Sequence, residues 1–120
     1  MSIQLQMEQM PGYLAARFIG AGVPKDVWEE FELIAEECKR TKNKKLLIDV
    51  TRAEGKASLI EKFLAAERSR IFASYCLKVA LVDIPERMDP QNFGELVARN
   101  RWVNIRVVTD FPAAEEWLLK

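Results

Sequence analysis

Two unbroken apolar runs constrain this chain most: Leu46-Leu47-Ile48 within KKLLIDVT and Val79 to Val82 within LKVALVD. A strand with one wet face alternates apolar and polar residues. A run that is apolar at every position needs cover on both faces, so these two segments are predicted to be central strands of a sheet packed between layers. Around them the pattern changes period repeatedly. IQLQMEQ and YLAARFIG read as strands joined at Met10-Pro11-Gly12, a hairpin. After Pro24, Trp28, Phe31, Ile34, Ala35 and Cys38 recur at steps of three and four, the stripe of a long helix lying on a sheet. A second helix is predicted from Ser58, presenting Ile60, Phe63, Leu64 and Ile71 to the core. A third starts at Asp89-Pro90 with Met88 and Phe93 as a hydrophobic staple and Leu96 and Val97 inward. WVNIRVV is the last strand and DFPAAEEWLLK the last helix, with Trp117 and Leu118 turned inward. The fold class that follows is α/β: a mixed central sheet with an N-terminal hairpin, about four helices and right-handed crossovers, one domain over 1–120.

Composition removes several functions. With 18 basic and 18 acidic residues there is no net field to draw the chain to nucleic acid or anionic lipid. The N-terminus lacks a basic start followed by an apolar run, and no stretch is long and apolar enough for a transmembrane segment, so the expected location is cytoplasmic. There is no histidine, which removes Ser/His and Cys/His nucleophile pairs and the usual zinc ligand. Cys38 and Cys76 have neither metal-ligand spacing nor the density of a disulfide scaffold and are read as reduced, mostly buried thiols. No catalytic residue, metal or cofactor is expected.

The candidate site is the polar bend in LLIDVTRAEGKASLIEKF, between the first central strand and the second helix. Ser58 and Glu61 have the spacing of a capping box, in which the Ser58 hydroxyl takes an orphan helix amide. A phosphate on Ser58 would also meet exposed amides and the positive end of the helix dipole, with Arg52 and Lys56 close in sequence. Three strands end in acids, Asp49, Asp83 and Asp110. They are read as acceptors of local amides and as a helix cap, with a Mg²⁺ cluster as the alternative. Arg52, Gly55 and Lys56 lack the spacing of a phosphate-binding P-loop. The run Lys39, Arg40, Lys42, Lys44 and Lys45 is read as the solvated, basic end of a helix. Trp28, Trp102 and Trp117 are read as core anchors at element ends, with Trp102 the one of the three open to exposure.

Several segments together resemble a STAS-type domain of the SpoIIAA-like group: GYLAARFIGAGVPKDVWEEFE, KKLLIDVT, LKVALVD and the closing IRVVTDFPAAEEWL. The resemblance spans nearly the whole chain and implies a regulatory protein that binds a partner, a kinase or other regulator of the anti-sigma type, through the loop after the central strand. In the anti-sigma factor antagonists that loop carries a phosphorylated serine after an aspartate. Here Asp49-Val50-Thr51 fits the opening of the motif, while Ala57-Ser58 stands in place of Asp-Ser, shifted by one residue.

The expected function is therefore a non-catalytic partner-binding module contacting its partner through Thr51, Arg52, Glu54, Gly55, Lys56, Ser58 and Leu59, with Ser58 as the candidate phosphorylation site. Pairing of the N-terminal edge strand would give a homodimer. The alternative is a small-molecule or lipid-headgroup carrier with a pocket between the sheet and the first or second helix; a deep apolar cavity would favour it and a filled core would favour the contact module.

Overall fold

The computed structural model describes residues 3–76 and 78–120; Leu77, the first residue of LKVALVD, lies outside the described residues. Five strands form one mixed sheet in sequence order. β1 (Gln4–Met10) pairs antiparallel with β2 (Tyr13–Ala21), and β2, β3 (Lys45–Glu54), β4 (Lys78–Val82) and β5 (Ile105–Val108) run parallel. The hairpin turns at Pro11-Gly12, where Gly12 has φ +89°, a conformation that suits the residue after a turn proline when it is glycine.

Alternation along each strand divides the core in two. Leu14, Ala16 and Phe18 of β2, Leu46 and Ile48 of β3, Val79 of β4 and Ile105 of β5 face one layer. That layer holds α2 (Phe31–Thr41), α3 (Leu59–Arg68) and α4 (Phe93–Arg99). Tyr13, Ala15, Leu47, Ala80 and Val82 face the other, where Ala114 and Leu118 of α5 (Phe111–Leu119) cover them. Both unbroken runs are thus covered on both faces, as their composition requires.

The predicted first helix is split. α1 (Lys25–Trp28) is a single turn, and α2 follows after Glu29 and Glu30, but the stripe Trp28, Phe31, Ile34, Ala35 and Cys38 is buried throughout. α2 stops where Lys42 turns left-handed at φ 59° and the Asn43 N–H reaches back to the Cys38 carbonyl at 2.8 Å. Three other expectations are corrected. Leu96 is exposed, because α4 seats Val97 and Ala98 instead. The last strand begins at Ile105, since Trp102 sits in the turn that ends α4, at φ 69°, with the Val103 N–H on the Ala98 carbonyl; Trp102 is 87% exposed and anchors nothing in the core.

The third correction concerns α3 and shapes the candidate site. Ile60, at 72% exposure, Phe63 and Leu64 point to solvent. The stripe turned to the sheet is Lys62, Ala65, Ala66 and Ser69, at steps of three, one and three, and the large apolar anchor comes only at Phe72, in the 3₁₀ turn Ser69–Phe72 that follows. Ile71, half-buried, packs on the core from the same turn.

Candidate functional site

β3 outruns β4. Their pairing ends at Asp49 opposite Val82, whereas β3 continues to Glu54 along β2 alone. From Arg17 to Ile19 β2 advances two residues while β3 advances three, from Asp49 to Arg52, so one extra residue bulges from β3. Asp49 braces the bulge: its Oδ1 accepts the Thr51 N–H at 2.8 Å and the Thr51 hydroxyl at 2.6 Å. Thr51, Arg52 and Glu54 therefore belong to the strand, and only Gly55 to Ser58 form the connection to α3.

Past the end of β4, the β3 carbonyls on that side lack a strand to bond with. Arg87, from the 3₁₀ turn Pro85–Arg87, takes the strand's place. Its guanidinium donates to the carbonyls of Val50, Ala53 and Gly55 at 2.6, 2.5 and 3.1 Å, while its Nε pairs with Asp83 at 2.8 Å. Asp83 also accepts the Ile84 N–H at 2.7 Å. Gly55, at φ +119°, makes the sharp exit that brings its carbonyl round to Arg87.

At the helix start the capping box forms as predicted: the Glu61 N–H donates to Ser58 Oγ at 3.2 Å and the Ser58 N–H to Glu61 Oε1 at 2.9 Å. Arg52, Glu54, Gly55, Lys56, Ser58 and Leu59 are exposed and Thr51 is half-buried, so the bend is open to solvent. Asp110 caps α5 through the Ala113 N–H at 2.7 Å. The three strand-end acids thus serve local backbone, and among the described residues no group of three or more acids or cysteines is placed to hold a metal ion. Asp89 accepts the N–H groups of Gln91 and Phe93, each at 3.0 Å, and these bonds hold its carboxyl below the usual aspartate range.

The small inward stripe of α3 leaves space beneath it. A cleft of about 170 Å³ lies between α3, α4 and the sheet, walled by Phe31, Ile48, Ala65, Ala66, Phe72, Val79, Leu81, Ile105 and Val107, with Lys62, Ser69, Asp83, Arg87, Asp89, Asn92 and Glu95 as its polar neighbours. A second cleft, of about 200 Å³, runs under the first turn of α3 toward α1, floored by Val27, Trp28, Val50 and Ala53 and edged by Glu54, Gly55, Lys56 and Ala57. The two adjoin through Phe31, Ile48, Ala65, Leu81 and Arg87. Arg87 went unnoticed in the sequence. The signal available was an arginine four residues after a strand-end aspartate, a spacing that many surface pairs share.

Comparison with solved structures gives the likeness that decides the fold. An uncharacterized protein of the DUF3478 family from Shewanella loihica PV-4, described as having a SpoIIAA-like fold, superposes with a TM-score of 0.60 at 20% identity, over 98% of this chain and 94% of that one. This chain has a SpoIIAA-like fold. No family model matches the sequence, and no curated protein matches it. Among the described residues, no helix of this SpoIIAA-like chain is long and apolar enough to cross a membrane.

Proposed function

We propose that the protein is a non-catalytic binding domain that takes a small apolar molecule, or the apolar tail of a larger one, in the space beneath α3. The observation that carries this reading is the pair of adjoining apolar clefts under a helix whose inward stripe is Lys62, Ala65, Ala66 and Ser69, with no large apolar side chain. A cavity of about 150 Å³ lined by aliphatic and aromatic side chains is large enough to hold benzene, and each cleft exceeds that. Arg87 at the rim is already engaged by Asp83 and three carbonyls, which leaves Lys56 and Lys62 as the other cations lining the clefts, and the apolar walls carry the preference for an apolar guest. The bend from Gly55 to Ser58 then acts as the lip of the binding space.

A second reading keeps the bend as a contact surface for a partner protein, as in anti-sigma factor antagonists, with Ser58 as its modification site. It is favoured by Leu59, Ile60, Phe63 and Leu64 standing exposed on α3 beside the bend. A homodimer through the edge strand β1 would belong with it.

Extraction of the natively purified protein into organic solvent, followed by mass analysis, separates the two. The first reading expects an apolar compound near one equivalent, with less of it in Ala65→Leu, whose larger side chain enters the space at which the two clefts adjoin. A protein that carries no such compound and is recovered with another chain would overturn it in favour of the second.

A further inference from the structure

Three charged side chains line both clefts beneath α3: Asp83, Arg87 and Lys62. Asp83 and Arg87 offset one another through their 2.8 Å pair. Lys62 is different. It stands half-buried on the stripe of α3 turned to the sheet, with Ala65, Ala66 and Ser69, and among the described residues no hydrogen bond or ion pair engages its ammonium. A cation drawn part-way out of water on the inward side of a helix is stabilised when an anion meets it, and the chain brings none into contact. We propose that the guest is an amphiphilic carboxylic acid, whose apolar tail lies in the adjoining clefts and whose carboxylate pairs with Lys62. The inference rests on the reading of the clefts as a binding space and adds to it the chemistry of the guest's head.

The other acids of the lining have donors of their own. Asp89 accepts the Gln91 and Phe93 N–H groups; the Lys62 charge reaches it and adds a little to the lowering of its carboxyl, but no ion pair joins the two. Glu95 accepts the Val107 N–H at 2.7 Å and lies 3.8 Å from Arg99, and Glu61 is taken up in the capping box. On the edge of the second cleft Lys56 and Glu54 are both exposed, where water and salt screen them. The stem of a lysine is apolar and its end is charged, so the tail and the head of an amphiphile find their complements along one side chain. The neighbouring acids set the head's charge at one. A carboxylate matches a single ammonium, whereas a phosphate monoester would bring a second negative charge toward Asp83 and Asp89 in a cleft whose other cation, Arg87, is already engaged.

The test is calorimetric titration at neutral pH of the wild-type chain, Lys62→Met and Lys62→Arg with octanoate and with 1-octanol, which have the same number of carbons and differ in the charge of the head. In the wild type octanoate is expected to bind more tightly than octanol. Lys62→Met keeps a straight apolar stem without the charge and should weaken octanoate about tenfold, as for one charged hydrogen bond, while leaving octanol unchanged; Lys62→Arg should keep the preference. Octanol binding the wild type as tightly as octanoate or more so, or Lys62→Met weakening the two equally, would overturn the carboxylate and leave the apolar reading standing. Binding of neither compound would overturn both. The wild-type comparison decides the matter even if a variant does not fold.

Discussion

Arg87 pairs with Asp83 at 2.8 Å and, held in that orientation, spends its remaining nitrogens on the backbone of β3 where β4 has run out. The guanidinium thus completes a sheet edge that no strand completes. Both side chains are largely buried, so removing the arginine leaves a carboxylate and three carbonyls short of a donor. Arg87→Ala is expected to cost about 2–4 kcal/mol in chemical denaturation, within the range for breaking a buried charged pair. Arg87→Lys should recover only part of that, because a lysine lacks the planar fork. A loss below about 0.5 kcal/mol would show that the β3 end does not depend on this residue.

The orientation of α3 makes a prediction opposite to that of its sequence pattern. Ile60→Ser should change stability by no more than about 0.5 kcal/mol, as for an exposed position. Phe72→Ala, one fully buried ring away, should cost about 3–5 kcal/mol. Equal losses at the two sites would mean that α3 packs its isoleucine inward.

Narrowing the clefts tests whether they are space or packing. Ala65→Leu is expected to unfold at or above the wild-type midpoint, whereas the same insertion into a packed core would lose about 1–3 kcal/mol.

Ser58→Ala removes the hydroxyl half of the capping box and is expected to cost about 1 kcal/mol, measured as a shift in the urea midpoint. Ser58→Asp should retain most of the cap, since aspartate accepts the same amide.

The Tyr13 ring is buried and its hydroxyl donates to Glu115 Oε2 at 2.8 Å; burial and then this carboxylate push its pKa up from 10.0 to about 12. A raised acid is one whose neutral form the fold favours. Its contribution to stability is whole below about pH 10 and is lost as pH rises from about 10 to about 12. In a Tyr75→Phe variant, where Tyr13 is the remaining tyrosine, tyrosinate absorbance should rise with a midpoint near 12. Glu115→Gln should bring that midpoint down. A midpoint at 10 in the folded protein would remove the Tyr13–Glu115 contact from the account.

The sheet was legible in the sequence because its signal is repeated: unbroken runs at Leu46 and Val79, alternation in β1, and a stripe through Trp28, Ile34 and Cys38 that remains buried although the helix is broken at Glu29 and Glu30. The caps at Ser58 and Asp110 were legible because they depend on neighbours three residues away. α3 was misread because it carries two apolar stripes, a large one at Ile60, Phe63 and Leu64 and a small one at Ala65 and Ala66. Periodicity rewards the larger, and only the tertiary fit of small side chains against the sheet selects the other. Trp102 was misplaced for a similar reason: a left-handed turn ends α4 three residues before the last strand, and nothing in WVNIRVV marks it. Thr51 to Glu54 look like a bend in the sequence and are strand in the fold because β3 outlasts its neighbour, a relation between strands that local sequence does not carry. Arg87 and the clefts it borders lay out of reach for the same reason.

That the space under α3 receives an apolar guest is tested most directly by titrating the protein with benzene while following its methyl groups by NMR, beside Ala65→Leu. Saturable shifts are predicted at Ile48, Val79, Leu81, Ile105 and Val107, with Leu47, Val82 and Leu118 on the opposite face unmoved and the responses weakened in Ala65→Leu, which narrows the space. Methyls of the cleft that stay still, or shifts that survive unchanged in Ala65→Leu, would contradict it.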